Sequence, residues 1–213
     1  MGKVILFDMD GVLVNTEPLH YQLWKQVFSE QGLDLAFEAY KGCIGANGKR
    51  LMELVLEHYG ADFRDDQSMF DRYYQLKEDH LRYGEIPRIE GVNETLAQLQ
   101  TRGYRMAVAS SSTQDYIELC TDRAGIGHFF DVRFSAQWVK NTKPAPDVFL
   151  AAAEKMGAAA EDCVVVEDST NGTLAAKAAG MRCIGFANPD SPGQCLDAAD
   201  MRIHRFAQLL DVL

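Results

Sequence analysis

The sequence predicts an α/β protein, a doubly wound parallel sheet interrupted after its first strand by an all-helical insertion. Short apolar runs rich in Val and Ile recur along the 213 residues. Each is closed by a polar or Gly-containing turn and followed by helical spacing, which is how parallel strands buried on both faces read. Strand and helix alternate in this way, the mark of successive βαβ units. One long stretch, Pro18 to Tyr83, breaks the pattern and contains no such run.

Taken in order, strands are expected at Lys3–Phe7, Met106–Ala109, Val132–Ser135, Cys163–Val166 and Arg182–Phe186, with a shorter one near Met201–Ile203. Helices are expected at Asn93–Arg102, Asp147–Met156 and Thr173–Ala179, stopped by Gly103, Gly157 and Gly180. Within the insertion, Leu19, Leu23 and Val27, then Leu51, Leu54 and Val55, then Tyr73, Leu76 and His80 fall at helical spacing. The expected division is a core of residues 1–16 and 88–213 and a helical cap of residues 17–87. The insertion leaves directly after the first strand and returns near Pro87–Gly91. Its two linkers should therefore run side by side at the carboxyl edge of the sheet, where such sheets bind ligands.

Composition excludes several classes of partner. A formal net charge of −10 argues against nucleic acid or an anionic membrane held by long-range attraction, so any anionic ligand must be gripped locally. Five cysteines without a C-x-x-C pair fit reduced, structural thiols and a cytoplasmic location. The apolar run Val4–Phe7 is too short for a signal-peptide core or a membrane span. A monomer is the default expectation. The segment Gly45–Lys49 is too short for a nucleotide-binding loop and lacks the Ser or Thr that should follow the lysine.

The residues that carry chemistry stand at strand ends. Asp8 and Asp10 close the first strand before Gly11, which turns the chain. Ser110 closes the strand Met106–Ala109, with Ser111, Ser112 and Thr113 opening the next helix, where hydroxyls cap and free N–H groups bind phosphate. Lys143 lies between Thr142 and Pro144-Ala145-Pro146, before a helix expected to be capped by Asp147. Glu167-Asp168 closes the strand Cys163–Val166. Each feature has an ordinary structural reading: a polar strand end, a helix cap, an exposed lysine. Three strands presenting carboxylates and a hydroxyl at one edge is what favours a site.

In this arrangement the chain resembles the haloacid dehalogenase-like superfamily of phosphatases and phosphomutases. Asp8-Met9-Asp10-Gly11-Val12, Ser110, Lys143-Pro144 and Glu167-Asp168 match its four motifs in order, over nearly the whole length. The insertion resembles the helical cap of the subgroup that contains beta-phosphoglucomutase and many sugar-phosphate phosphatases. The resemblance implies a Rossmann-like core and an aspartyl-phosphate on Asp8. It implies Mg²⁺ held by Asp8, the backbone carbonyl of Asp10, and Asp168, with Glu167 reaching the ion through water. Lys143, Ser110 and N–H groups near Met9 and Ser111 would hold the phosphate, and Asp10 would act as general acid and then general base. The expected ligand is a small phosphorylated metabolite.

The same resemblance frames the choice of reaction. The dehalogenases proper lack the second aspartate as a proton shuttle, so Asp10 argues against dehalogenation. A silent binding module has no use for the intact set of charged residues. Phosphatase and phosphomutase share every core residue, and the cap must separate them. Thr16, His20 and Trp24 match beta-phosphoglucomutase, whose histidine couples cap closure to proton transfer, although His20 and Trp24 also suit one packed helix face. Gly45 is followed by Ala46, Asn47 and Gly48 in place of the mutase arginine, with Lys49 and Arg50 displaced. The mutase's cap lysine would fall near Tyr73, a turn from Lys77, and Thr113-Gln114-Asp115 departs from the expected lysine and asparagine. Hydrolysis is the expected reaction and isomerisation of the beta-phosphoglucomutase kind the alternative. Tyr21, Lys49, Arg50, Tyr73 and Lys77 are the cap candidates for substrate contact.

Overall fold

The structure, a computed structural model, describes residues 4–44 and 48–213. Met1–Lys3, and with them the first residue of the first expected strand, lie outside the described residues, as do Gly45, Ala46 and Asn47.

Strands β1 (Val4–Phe7), β2 (Arg105–Ser110), β3 (Val132–Ser135), β4 (Cys163–Glu167), β5 (Arg182–Phe186) and β6 (Met201–Ile203) form one parallel sheet in the order β3-β2-β1-β4-β5-β6. β1 pairs with β2 on one side and β4 on the other. The winding therefore reverses beside β1, and a crevice opens at the carboxyl ends of these three strands. β2 and β4 each run one polar residue beyond the expected end, to Ser110 and Glu167, because both residues stay in register with a neighbouring strand.

Between β1 and the next strand come α1 (Glu17–Glu30), α2 (Phe37–Tyr40), α3 (Gly48–Tyr59) and α4 (Gln67–Tyr83). Pro18 sits in the first turn of α1, where its missing N–H costs nothing. Leu19, Leu23, Val27 and Phe28 of α1 bury against Leu51 and Val55 of α3 and Met69 and Tyr73 of α4, a cluster distinct from those on the sheet. Near the end of α4 this changes, and Leu81 and then Ile86 join the cluster on one sheet face.

That face is covered by α5 (Val92–Thr101) and α6 (Gln114–Arg123), whose Leu96, Leu99, Ile117 and Cys120 pack on Ile5, Phe7, Val108 and Val166. The opposite face, Val4, Leu6, Ala107 and Val165, is covered by α7 (Asp147–Lys155) and α8 (Thr170–Ala178) through Val148, Phe149, Ala152 and Ala176. The terminal α9 (Leu209–Val212) adds Leu209 to the first face. Alternate residues of β1 thus bury on opposite sides, which explains its continuous apolar sequence.

α5 begins one residue early, at Val92, and two further helix starts differ from expectation. α8 begins three residues earlier, because the Ser169 hydroxyl accepts from the Gly172 N–H at 3.0 Å and caps the helix there. α7 is preceded by Pro146, and Asp147 is its first residue rather than its cap; the Asp147 carboxylate accepts instead from the backbone and side-chain N–H groups of Asn141.

The two connections to the helical insertion do run side by side: Val14 and Arg88 form an antiparallel bridge, and the Asn15 N–H donates to Pro87 O at 2.9 Å. The insertion also touches the sheet unit elsewhere. The Arg123 guanidinium of α6 donates to the Leu81 and Gly84 carbonyls, and Gln194 Nε2 donates to Ile44 O at 2.8 Å. Cys43, Cys120, Cys163 and Cys183 are buried free thiols and Cys195 an exposed one. Among the described residues no helix is long and apolar enough to cross a membrane.

Candidate active site

Asp8 is the first residue past β1, yet its N–H still donates to Val166 O at 3.0 Å, so it stays level with the end of β4, where Glu167 stands. The chain then winds tightly. Met9 O accepts from the N–H groups of Val12, Leu13 and Val14, and Gly11 takes φ +82°, the left-handed region open to glycine. A Cβ on Gly11 would also lie 2.1 Å from Asp168 Oδ2, so the position demands glycine twice. With the strand over at Phe7, Asp10 is held by its own set of donors. Its Oδ1 accepts from Thr16 Oγ1 at 2.6 Å and Tyr116 OH at 3.2 Å, and its Oδ2 from Ser112 Oγ at 2.8 Å.

Lys143 reaches the floor of the crevice. Its ammonium donates to Asp8 Oδ1 at 2.5 Å, Glu167 Oε1 at 2.7 Å and Ala109 O at 3.3 Å, with only 6 % of the side chain exposed. Glu167 is saturated, because its other oxygen accepts from Ser169 N at 2.7 Å and Ser169 Oγ at 2.9 Å. Asp168 Oδ2 accepts from Ser191 Oγ at 2.8 Å. Three buried carboxylates therefore stand around one ammonium that bonds only Asp8 and Glu167, and negative charge is in excess. Burial pushes Asp8 up to about 7 against the pull of Lys143, with Glu167 and Asp10 adding repulsion. Burial, then Glu167 and Asp8, raises Asp168 well above the usual carboxylate range. Burial by itself would lower Lys143, but its two carboxylates together outweigh that cost and hold it above its ordinary value.

These groups line a cavity of about 120 Å³, together with Ser110, Ser111, Ser169, Glu17, Ile44 and Gln194. A second cavity of about 310 Å³ lies under the insertion and shares Asp10, Glu17 and Ser111 with the first. Its walls are aromatic: Trp24 stacks on Tyr73 at 4.2 Å, with Phe70, Tyr40 and Tyr74 around them. Lys77 and His20 are the basic groups on its lining. His20 Nδ1 lies 2.8 Å from Tyr73 OH, and burial with nearby Lys77 lowers the imidazole to about 4, so it is neutral near pH 7.

The structure thus gathers Asp8, Asp10, Ser110, Ser111, Lys143, Glu167 and Asp168 at one cavity and places His20 in the neighbouring one. Of the cap candidates, Tyr73 and Lys77 line the second cavity. Tyr21 instead donates to Leu35 O at 3.0 Å, Arg50 pairs with Glu53 and Glu57, and Lys49 lines a separate surface depression. Glu17, Tyr116, Ser191 and Gln194 were not expected in the site; none of them follows a strand, so the pattern of polar strand ends could not reveal them.

The donor set suits a hard divalent cation. Asp8 and Asp168 offer anionic oxygens that are buried, mutually repelling and short of counter-charge, while Glu167 is taken up by Lys143 and Ser169. Among the described residues no three Asp, Glu, His or Cys side chains form a ready cage. Side chains alone therefore do not complete a coordination shell, and carbonyl or water oxygens would have to supply the rest for an ion such as Mg²⁺.

The profile of the haloacid dehalogenase-like hydrolase family matches residues 5–186. Fructose-1-phosphate phosphatase YqaB of Escherichia coli is 33 % identical over 84 % of this chain and 94 % of its own length. The Arabidopsis thaliana protein SUPPRESSOR OF QUENCHING 1 is 33 % identical over 95 % of this chain, which spans only 20 % of that longer protein. CbbY from Rhodobacter sphaeroides, solved in complex with phosphate, superposes with a TM-score of 0.81 at 28 % identity, covering 98 % of this chain and 96 % of CbbY. A mutant of the same protein, TM-score 0.76 at 29 % identity over the same shares, was solved with xylulose-1,5-bisphosphate. With its parallel sheet, its acidic crevice and a family match spanning most of its length, the chain belongs to the haloacid dehalogenase-like hydrolases.

Proposed function

We propose that the protein hydrolyses phosphomonoesters of small polyhydroxylated metabolites, sugar phosphates among them, through an aspartyl-phosphate on Asp8. The observation that carries this reading is the meeting of Asp8, Lys143 and Asp168 at the floor of a small polar cavity that opens into a larger aromatic one. The first has room for a phosphate, the second for an organic leaving group. The phosphorylated sugars named for YqaB and for the CbbY complex support the same substrate class.

Asp8 would attack phosphorus in line with the ester oxygen. Lys143, already placed against Asp8 by Glu167, would neutralise a phosphate oxygen, and Ser110 and Ser111 would donate to others. Asp10, aimed toward the second cavity by its three hydroxyl donors, would give a proton to the leaving oxygen and later take one from water. Bound Mg²⁺, held by Asp8, Asp168 and the Asp10 carbonyl, would offset the repulsion between carboxylate and phosphate. Residues 17–87 would act as a cap that excludes water during the first transfer.

A mutase reading has one observation in its favour, the half-buried cation Lys77 on the lining of the second cavity. Glu17 beside it opposes a second phosphate. The test is to incubate the protein with Mg²⁺ and fructose 1-phosphate, glucose 6-phosphate or beta-glucose 1-phosphate with a trace of the 1,6-bisphosphate, following free phosphate and isomers separately. Phosphate release that Asp8→Asn abolishes is the expected result. Isomer formed without phosphate would overturn hydrolysis, and full activity in Asp8→Asn would overturn the covalent mechanism.

A further inference from the structure

Tyr116 belongs to none of the motifs in the sequence, yet its phenol donates to Asp10 Oδ1 at 3.2 Å from α6. The other donors to that carboxylate, Thr16 and Ser112, are short hydroxyls beside it. Tyr116 differs in what touches its ring. The ammonium of Lys77, carried by α4 of the insertion, lies 3.8 Å from the ring centroid. A cation over a phenol face is attracted by the ring quadrupole, the more so where water is excluded. It also withdraws electron density from the ring, which makes the O–H a stronger donor. Burial pushes the Tyr116 phenol well above its ordinary value, so the group keeps the proton it donates.

The contact between α4 and α6 has a second point. Two turns along α6 from Tyr116, Arg123 donates to the Leu81 and Gly84 carbonyls at the end of α4. Leu81 lies four residues beyond Lys77 and so on the same face of α4. Arg123 therefore fixes the end of α4 against α6, and Lys77 reaches Tyr116 one turn further in. We propose that Tyr116 is a positioning residue that sets the Asp10 carboxyl for proton transfer, and that Lys77 makes this setting depend on the insertion resting closed on the sheet unit. The inference rests on the phosphotransfer reading above, in which Asp10 protonates the leaving oxygen.

The leaving group tests it. A sugar alkoxide needs that proton to depart, whereas 4-nitrophenolate departs without one. kcat/KM covers the reaction only as far as departure of the leaving group. The ratio of kcat/KM for the best sugar monophosphate of the panel to that for 4-nitrophenyl phosphate therefore reports the need for the proton free of any change in the amount of folded protein. Tyr116→Phe should lower this ratio about tenfold, the weight of one hydrogen bond to a charged group, and Asp10→Asn should lower it further. Lys77→Met should lower it by a similar factor in the wild-type background and by less than about twofold when Tyr116 is already Phe, since the two would act through one contact.

A ratio unmoved in Tyr116→Phe but lowered in Asp10→Asn overturns the role of Tyr116 and leaves the phosphotransfer reading standing. A ratio unmoved in Asp10→Asn overturns that reading, and the inference with it. Multiplying effects of Lys77→Met and Tyr116→Phe would show Lys77 acting on the substrate directly and overturn the coupling.

Discussion

Lys143 shows how one side chain can serve both stability and chemistry. It is the ammonium between Asp8 and Glu167, and nearly all of it is out of water. Removing one partner of a buried ion pair is costlier than the pair was ever worth, because the remaining charges lose their counter-ion and regain no water. Lys143→Met should therefore destabilise the metal-free protein by about 3 kcal/mol at pH 8. The cost should shrink at pH 5, where Asp8, at about 7, is protonated. Denaturant unfolding at the two pH values measures it, and an equal cost at both would mean that the other contacts of the ammonium, with Glu167 and the Phe149 ring, outweigh its pairing with Asp8. The residue was legible in the sequence because it sits beside prolines in a motif of fixed order; its partner Glu167 was legible because it closes an apolar run. Ser191 and Gln194 were not, since both lie in irregular chain whose path is set by contacts with Asp168 and Ile44.

At the scale of elements, α8 carries a glycine that helix propensity alone would reject. Gly172 has ordinary helical geometry, and alanine there would gain up to about 1 kcal/mol in a free helix. A Cβ at this position would stand 1.7 Å from Glu167 Oε1. Glu167 cannot swing away cheaply, because Lys143 and Ser169 hold its two oxygens. Gly172→Ala should thus destabilise by about 2 kcal/mol, the loss of one or two hydrogen bonds to a buried carboxylate outweighing the propensity gain. A variant as stable as wild type, by thermal or denaturant unfolding, would show that Glu167 has another rotamer open to it. The sheet strands were readable from sequence because burial on both faces writes an unbroken apolar run, as in Val164, Val165 and Val166 of β4. The helices of the insertion were readable as helices but not by face. Leu51, Met52 and Val55 turn α3 inward, which sends Lys49 and Arg50 away from the site, and single-chain spacing could not say which face would meet the crevice.

At the scale of the whole molecule, a chain of net charge −10 gathers buried carboxylates at the centre of one sheet edge. Folding therefore changes how many protons the chain holds. Asp8 rises from 3.8 to about 7 on folding and Asp168 rises with it, both chiefly through burial. Between these limits the folded state binds protons that the unfolded chain has released, so this contribution is fully present below about pH 4 and is lost as pH climbs to about 7. A divalent cation held by Asp8 and Asp168, as proposed, would replace those protons and compete with them. Its stabilisation must then grow with pH over the same window. The expected outcome is a melting temperature that falls in chelator between pH 5 and pH 8 more steeply for wild type than for Asp8→Asn. Excess Mg²⁺ should raise it by several degrees at pH 8, the size expected for one or two kcal/mol in a domain of this length, and by much less at pH 5. A Mg²⁺ effect that is flat with pH, or undiminished in Asp8→Asn, would place the ion elsewhere.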